Sequence, residues 1–118
     1  MTLEAFYAAI DSDYKSALVR MGNSEKILGK FVRKFAGDKT AGELFTSYES
    51  GDYTTAFRAA HTLKGLCANL GFNKLQQSAS ELTEALRGGV ADNADELLTK
   101  FRADYGSLID ALGQLDDL

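Results

Sequence analysis

The segment AAHTLKGLCANLGF, residues 59–72, is the most informative part of this chain. At about 100° per residue, an α-helix places four apolar positions of this segment on one face: Ala59, Leu63, Leu66 and Leu70. The opposite face carries His61, the only histidine in the chain. Asp52 is suited to cap the start of this helix, and Gly71 is suited to end it. We therefore expect an amphipathic helix that buries its leucines and points the histidine outward.

The sequence on both sides repeats the helical pattern, with apolar residues at spacings of three and four. The 118 residues include no proline, which helix interiors exclude. Because the connections are short, neighbouring helices should run antiparallel. We predict a single all-α domain over residues 1–118, an antiparallel up-down four-helix bundle with one or two short extra N-terminal helices. The acidic tail, residues 113–118, is expected to be frayed.

One of the earlier helices should begin after Ser24 and end at Gly37-Asp38. Its apolar residues recur at positions i, i+1, i+4, i+5 and i+8, and we assign all five to the core: Ile27, Leu28, Phe31, Val32 and Phe35. The intervening lysines and arginine should face solvent.

Composition argues against several classes of function. A net charge of −4 is unfavourable for binding nucleic acid or an anionic membrane surface. The single cysteine, Cys67, excludes an intrachain disulfide and a multi-cysteine zinc site. It lies about 120° around the helix from His61, so the two cannot bind one ion, and we assign Cys67 to the core. No apolar stretch approaches the ~20 residues of a membrane span. We expect a cytoplasmic, monomeric protein without a metal site.

The face around His61 is suited to carrying an anionic group. Arg58 and Lys64 lie three residues before and after the histidine, within reach of a group on its ring. Gly65 costs roughly 0.5–1 kcal/mol relative to alanine inside a helix, but it clears space beside the imidazole. Exposed imidazoles are largely neutral at cellular pH, and a neutral ring nitrogen is a nucleophile. Arg58 could equally be a solvated surface charge.

The motif His61-Thr62-Leu63-Lys64-Gly65, followed by Leu70-Gly71, resembles the signature of the histidine-phosphotransfer (HPt) domain family. The likeness covers about Ala5 to Leu112. It implies a phosphorelay intermediate that accepts a phosphoryl group on His61 from a receiver-domain aspartate and passes it to another receiver. By the same resemblance, Lys64 stabilises the phosphoryl group and Gly65 permits access.

The resemblance also implies a phosphoryl carrier rather than an enzyme. Its partners would be response-regulator receiver domains and a hybrid sensor histidine kinase. It would need no cofactor of its own, because the receiver supplies the aspartate and the Mg²⁺ site. Many relatives support the histidine with a glutamine on the next helix, and here that register falls at Thr83. The threonine hydroxyl could act directly, through a water, or not at all.

Other interpretations remain open at this stage. Phe57 and Ala68 share the face of His61 and could dock a partner, although Phe57 could instead fold under a neighbouring helix. The chain could be a helical adaptor that binds receivers or other signalling proteins without being phosphorylated. It could also be a phosphoacceptor domain served directly by an attached kinase module. A metal-binding bundle is disfavoured, since the sequence offers no inward Glu-x-x-His pair.

Overall fold

The computed structural model describes residues 1–116, and within that range the chain forms seven α-helices and no strand. In chain order the helices are α1 (Leu3–Ala9), α2 (Tyr14–Arg20), α3 (Glu25–Ala36), α4 (Thr40–Glu49), α5 (Tyr53–Leu70), α6 (Asn73–Leu86) and α7 (Ala94–Leu112). The predicted all-α fold class is confirmed. None of the helices in the described part of the chain is both long and apolar enough to cross a bilayer.

The last four helices form an antiparallel bundle. The most extensive contacts join successive helices, α4 with α5, α5 with α6 and α6 with α7. The short connections between them reverse the chain direction each time. Helix α7 closes the bundle by packing on α4, where the ring centroid of Phe45 lies 6.0 Å from that of Phe101 and 6.1 Å from that of Tyr105. This up-down arrangement places α5 between α4 and α6 and leaves one of its faces open.

Three helices lie outside this bundle, where the sequence predicted one or two. Helices α1 and α2 are short, as expected, but α3 is a 12-residue helix that packs against both α5 and α7. Phe35 anchors it, with its ring centroid 5.3 Å from that of Phe72 and 6.3 Å from that of Tyr105. Helix α3 therefore covers the bundle beside the C-terminal half of α5.

Helix α5, which carries His61, is fixed at both ends. At its start, the Asp52 carboxylate accepts hydrogen bonds from the Thr55 backbone N–H at 3.2 Å and the Thr55 hydroxyl at 2.6 Å. At its end, Gly71 adopts a left-handed φ of 73°, and a Cβ there would lie only 3.3 Å from Cβ of Ala17. Both predicted end residues therefore occupy the expected positions, and the second requires glycine because of both its φ and its neighbour.

Three residues that the sequence assigned to the core are not fully buried: Leu66 of α5, which is half-buried, and two residues of α3. In α3, Leu28, Val32 and Phe35 are buried, but Ile27 is 46% exposed and Phe31 is 41% exposed. A stripe of five residues is wider than the line along which α3 meets the bundle, so the residues on its edge face solvent.

The tail also differs from the prediction, because Leu115 and Asp116 are held by contacts rather than frayed. Leu115 is buried, and the Asp116 carboxylate accepts a hydrogen bond of 2.6 Å from the amino group of Met1. An apolar contact and an ion pair therefore hold the segment that the acidic sequence suggested would be loose. Asp117 and Leu118 lie outside the described residues.

Candidate functional site

His61 is exposed in the middle of α5, as the helical pattern predicted. Ala60, one residue before His61, and Leu63, two residues after it, are buried in the core. They hold the helix in place while the imidazole faces outward. Among residues 1–116 the imidazole makes no hydrogen bond to another group. Its ring nitrogens are therefore available to an incoming partner.

An aromatic ring supports the imidazole from one turn earlier. The rings of Phe57 and His61 are stacked, with centroids 6.2 Å apart and planes within 6° of each other. The Arg87 guanidinium carbon lies 5.3 Å from the centroid of the Phe57 ring. Phe57 is half-buried, and Arg87, the residue that follows the neighbouring helix α6, lies over its ring.

The charges beside His61 are distributed unequally. Lys64 is half-buried and lies towards α6, where it acts electrostatically on Glu84. The pKa of Glu84 is lowered, first by its hydrogen bonds from Arg87 and by the charge of Arg87, and to a smaller extent by Lys64 and His61. Arg58 is exposed, and its positive charge contributes to lowering the pKa of Asp52, after the two hydrogen bonds from Thr55.

The surface one to two turns beyond His61 is open. Gly65 is exposed, and a Cβ built on it would meet no atom within 4 Å. Ala68 is half-buried, and its carbonyl oxygen accepts a hydrogen bond from the Arg20 guanidinium of α2. The imidazole can therefore be approached along this side of α5 without displacing a side chain at position 65.

Thr83 does not occupy the supporting position suggested by the family register. Its side chain is completely buried, and its hydroxyl donates a hydrogen bond of 2.6 Å to the backbone oxygen of Ala79, one turn earlier in α6. The helix is rotated so that residue 83 faces the core while Glu84 faces the site. The α6 residue beside His61 is thus Glu84 and not Thr83, the residue predicted from the family register.

A cleft that contains apolar residues which the sequence assigned to the core lies beside α5, on the C-terminal side of His61. Phe31 of α3 and Leu66 and Asn69 of α5 line the same cleft, and Ile27 lies one turn before Phe31 on α3. Leu66 and Asn69 are five and eight residues beyond His61, or about 8 and 12 Å along the helix axis. The width of the apolar stripe in α3 was a signal that not all of its residues could be buried.

Neither the cysteine nor the acidic residues add a metal site. Cys67 is fully buried, and this burial, with a smaller effect of Asp38, raises the pKa of its thiol to about 12. Within the described range 1–116, no group of three or more histidine, cysteine, aspartate or glutamate residues is arranged to hold a metal ion. The chemistry available at the site is that of an exposed imidazole beside one half-buried lysine.

Comparison with known proteins gives one match. A family model described as "Hpt domain" matches residues 24–117, about four-fifths of the chain, from the cap of α3 to beyond the end of α7. No curated protein and no solved structure matches significantly.

Proposed function

Since the chain belongs to the Hpt domain family, we propose that it is a phosphorelay intermediate in which His61 accepts a phosphoryl group from one receiver domain and passes it to another. Membership of the family itself implies phosphotransfer in two-component signalling. We propose in addition that His61 is the phosphorylated residue and that the transfer joins two receivers. The observation that carries it is the only histidine of the chain, exposed in mid-helix beside open space at Gly65.

The proposed reaction is reversible transfer between two side chains. A neutral nitrogen of His61 attacks the phosphorus of a receiver's aspartyl phosphate. The N–P bond forms as the acyl P–O bond breaks, and the electron pair leaves on the aspartate carboxylate. The second receiver reverses this step, its aspartate oxygen displacing the imidazole. Mg²⁺, which belongs to the receiver, supplies charge neutralisation at the phosphoryl oxygens.

Lys64 is the residue of this chain best placed to assist. It is half-buried one turn from His61, where an ammonium group can donate charge-assisted hydrogen bonds to phosphoryl oxygens. Arg58 is more exposed and is the weaker candidate. Because the chain supplies a nucleophile and a cation and the receiver supplies the rest, we propose a phosphoryl carrier and not an independent enzyme.

The receiver would dock on the surface that surrounds His61. A typical interface covers about 800 Å² on each partner, equivalent to a circle of roughly 16 Å radius. Leu66 and Asn69 of the cleft between α3 and α5 lie only about 8 and 12 Å from His61 along the axis of α5, so we propose that the interface extends into this cleft, where Phe31 is exposed. Ala68 lies within the same area. An interface that joins the polar surroundings of His61 to an apolar cleft beside them suits a partner that must bind, react and leave.

The phosphoryl donor, the oligomeric state and the cellular location are also part of the proposal. We propose that the phosphoryl donor is a receiver domain of a hybrid sensor histidine kinase and that the protein acts as a monomer in the cytoplasm. Helical adaptor function without phosphorylation is the alternative. It predicts receiver binding that does not depend on His61 and no phosphoryl transfer.

The decisive experiment replaces His61 by glutamine. His61→Gln should retain the helical fold, because the side chain is exposed, and should accept no label from a phosphorylated receiver. Thr62→Gln is the matched control, since Thr62 is also exposed on α5 but on a different face. Labelled phosphate that is stable to base and labile to acid should appear on the control alone. Such label on the His61→Gln variant would refute the proposal.

A further inference from the structure

We infer that Phe57 and Arg87 are positioning residues, which together hold the imidazole of His61 in the orientation used for phosphoryl transfer. The inference rests on the proposed function for the reaction it serves, but the orientation itself can be measured separately. The two residues belong to a contact series that runs from α6 to α5: Glu84, Arg87, Phe57 and His61. We call this series the aromatic row.

The stack with Phe57 is the contact that orients the imidazole ring. Phe57 precedes His61 by four residues, which places both side chains on one face of α5. Their planes differ by only 6°, with centroids 6.2 Å apart, within the range of favourable aromatic pairs. The imidazole makes no hydrogen bond in the described part of the chain, and the Thr83 hydroxyl is occupied by Ala79. Hydrogen bonding therefore does not fix the ring.

Phe57 is itself restrained by Arg87. The Arg87 guanidinium lies over its ring at 5.3 Å, within cation–π distance. Arg87 is in turn held by Glu84, with Nε donating to Oε2 at 3.0 Å and Nη2 donating to Oε1 at 2.8 Å. A two-point pair fixes the plane of the guanidinium better than a single contact would. The aromatic row thus connects the end of α6 to the imidazole.

Restraint of the imidazole matters for the reaction because phosphoryl transfer depends on the orientation of this ring. An exposed side chain ordinarily samples several staggered rotamers within nanoseconds. Phosphoryl transfer needs the nitrogen within about 3–3.5 Å of phosphorus and in line with the leaving oxygen. Rotation of His61 away from the Phe57 plane would break the stack, so the stack favours one orientation while leaving the nitrogens exposed.

The test compares four single variants, two at Phe57, one at Phe45 and one at Arg87. Phe57→Leu removes the ring but keeps an apolar side chain, whereas Phe57→Tyr keeps the ring and should restore the parental behaviour. Phe45→Leu is the matched control, because Phe45 is also half-buried and lies 4.1 Å from the guanidinium carbon of Arg102, but it packs between α4 and α7. Each variant is measured for its transfer rate at saturating receiver and for the NMR shifts and rotamer order of the His61 imidazole.

Phe57→Leu should slow saturated transfer roughly twofold to tenfold, the range that corresponds to the energy of one aromatic pair. It should also move the imidazole shifts and broaden the rotamer distribution. Phe57→Tyr and Phe45→Leu should leave both readouts near their parental values. Arg87→Gln should produce the changes of Phe57→Leu at smaller amplitude.

Three results would overturn the inference. One is unchanged imidazole order in Phe57→Leu, and another is an equal loss of rate in Phe45→Leu. The third is weaker receiver binding in Phe57→Leu with an unchanged saturated rate, which would make Phe57 a docking residue. Failure of the parental protein to accept phosphate would refute the proposed function instead, while the NMR comparison would still test whether Phe57 orients His61.

Discussion

Substituting Gly65 by alanine, glutamine and leucine separates the contribution of this position to stability from its contribution to access. Position 65 lies inside α5, and a Cβ there would meet no atom within 4 Å. Gly65→Ala should therefore stabilise the protein by about 0.5–1 kcal/mol, through helix propensity and a less flexible unfolded chain. At about 2.1 cal/mol/K of unfolding entropy per residue, 118 residues give a Tm increase of about 2–4 °C.

Transfer should respond in the opposite direction as the side chain grows. Positions 61 and 65 are one turn apart, with Cβ positions about 5–6 Å from each other on the same face. Glutamine or leucine at 65 would occupy the space through which a receiver approaches the imidazole. Since a misplacement of about 1 Å can cost 100-fold in rate, Gly65→Gln and Gly65→Leu should slow receiver-dependent transfer by roughly 10- to 100-fold. Gly65→Ala should have a much smaller effect.

Gly106 provides the matched control for this series. It lies inside α7, and a Cβ there would also meet no atom within 4 Å. Gly106→Ala and Gly106→Gln should gain similar stability and transfer at the parental rate. Thermal unfolding followed by circular dichroism measures the first quantity, and single-turnover transfer from a phosphorylated receiver measures the second. Unfolding of Gly65→Gln, or parental transfer by a folded Gly65→Gln, would refute the reasoning about access.

Two further substitutions test the surroundings of the site. Thr83→Val removes the hydrogen bond to Ala79 and should lower the free energy of unfolding by about 1 kcal/mol, as measured by thermal unfolding. The transfer rate should not change. A large loss of transfer in a folded variant would show that Thr83 supports His61 after all. Phe31→Ser should leave the fold intact and weaken receiver binding about tenfold, as measured by calorimetry, because aromatic side chains carry much of the binding energy at interfaces. Phe31→Tyr keeps the ring and should bind normally. Equal affinity of the two variants would remove Phe31 from the docking surface.

The sequence was sufficient where the determining signals are local. The helix from Tyr53 to Leu70 is bounded by Asp52 and Gly71, and each acts through its own backbone geometry and nearest neighbours. The outward orientation of His61 follows from helical periodicity alone, because Leu63 and Leu70 lie opposite it and are buried. Neither conclusion required knowledge of how the helices are arranged.

The sequence was insufficient where the rotation or placement of a whole helix decides the outcome. Adjacent residues differ by 100° around a helix, so a small change in the rotation of α6 determines whether Thr83 or Glu84 faces the site. That rotation depends on many side chains packing together. The contact between Arg87 and Phe57 joins residues 30 positions apart for the same reason. The four-residue spacing of Phe57 and His61, in contrast, was visible in the sequence, but it predicted only a shared face of the helix and not a stack.

Support by a stack has a consequence that support by a hydrogen bond would not have. A hydrogen bond to one imidazole nitrogen fixes which nitrogen carries the proton and changes the basicity of the other. The Phe57 ring lies parallel to the imidazole and forms no hydrogen bond with its nitrogens, so it can restrain orientation without selecting a tautomer. In the same row, Arg87 pairs with Glu84 and reduces the repulsion that this carboxylate would exert on a phosphoryl group. Lys64 then remains the main cation for the phosphoryl oxygens. An imidazole oriented in this way can be kept in place whether or not it carries the phosphoryl group, as transfer in both directions requires.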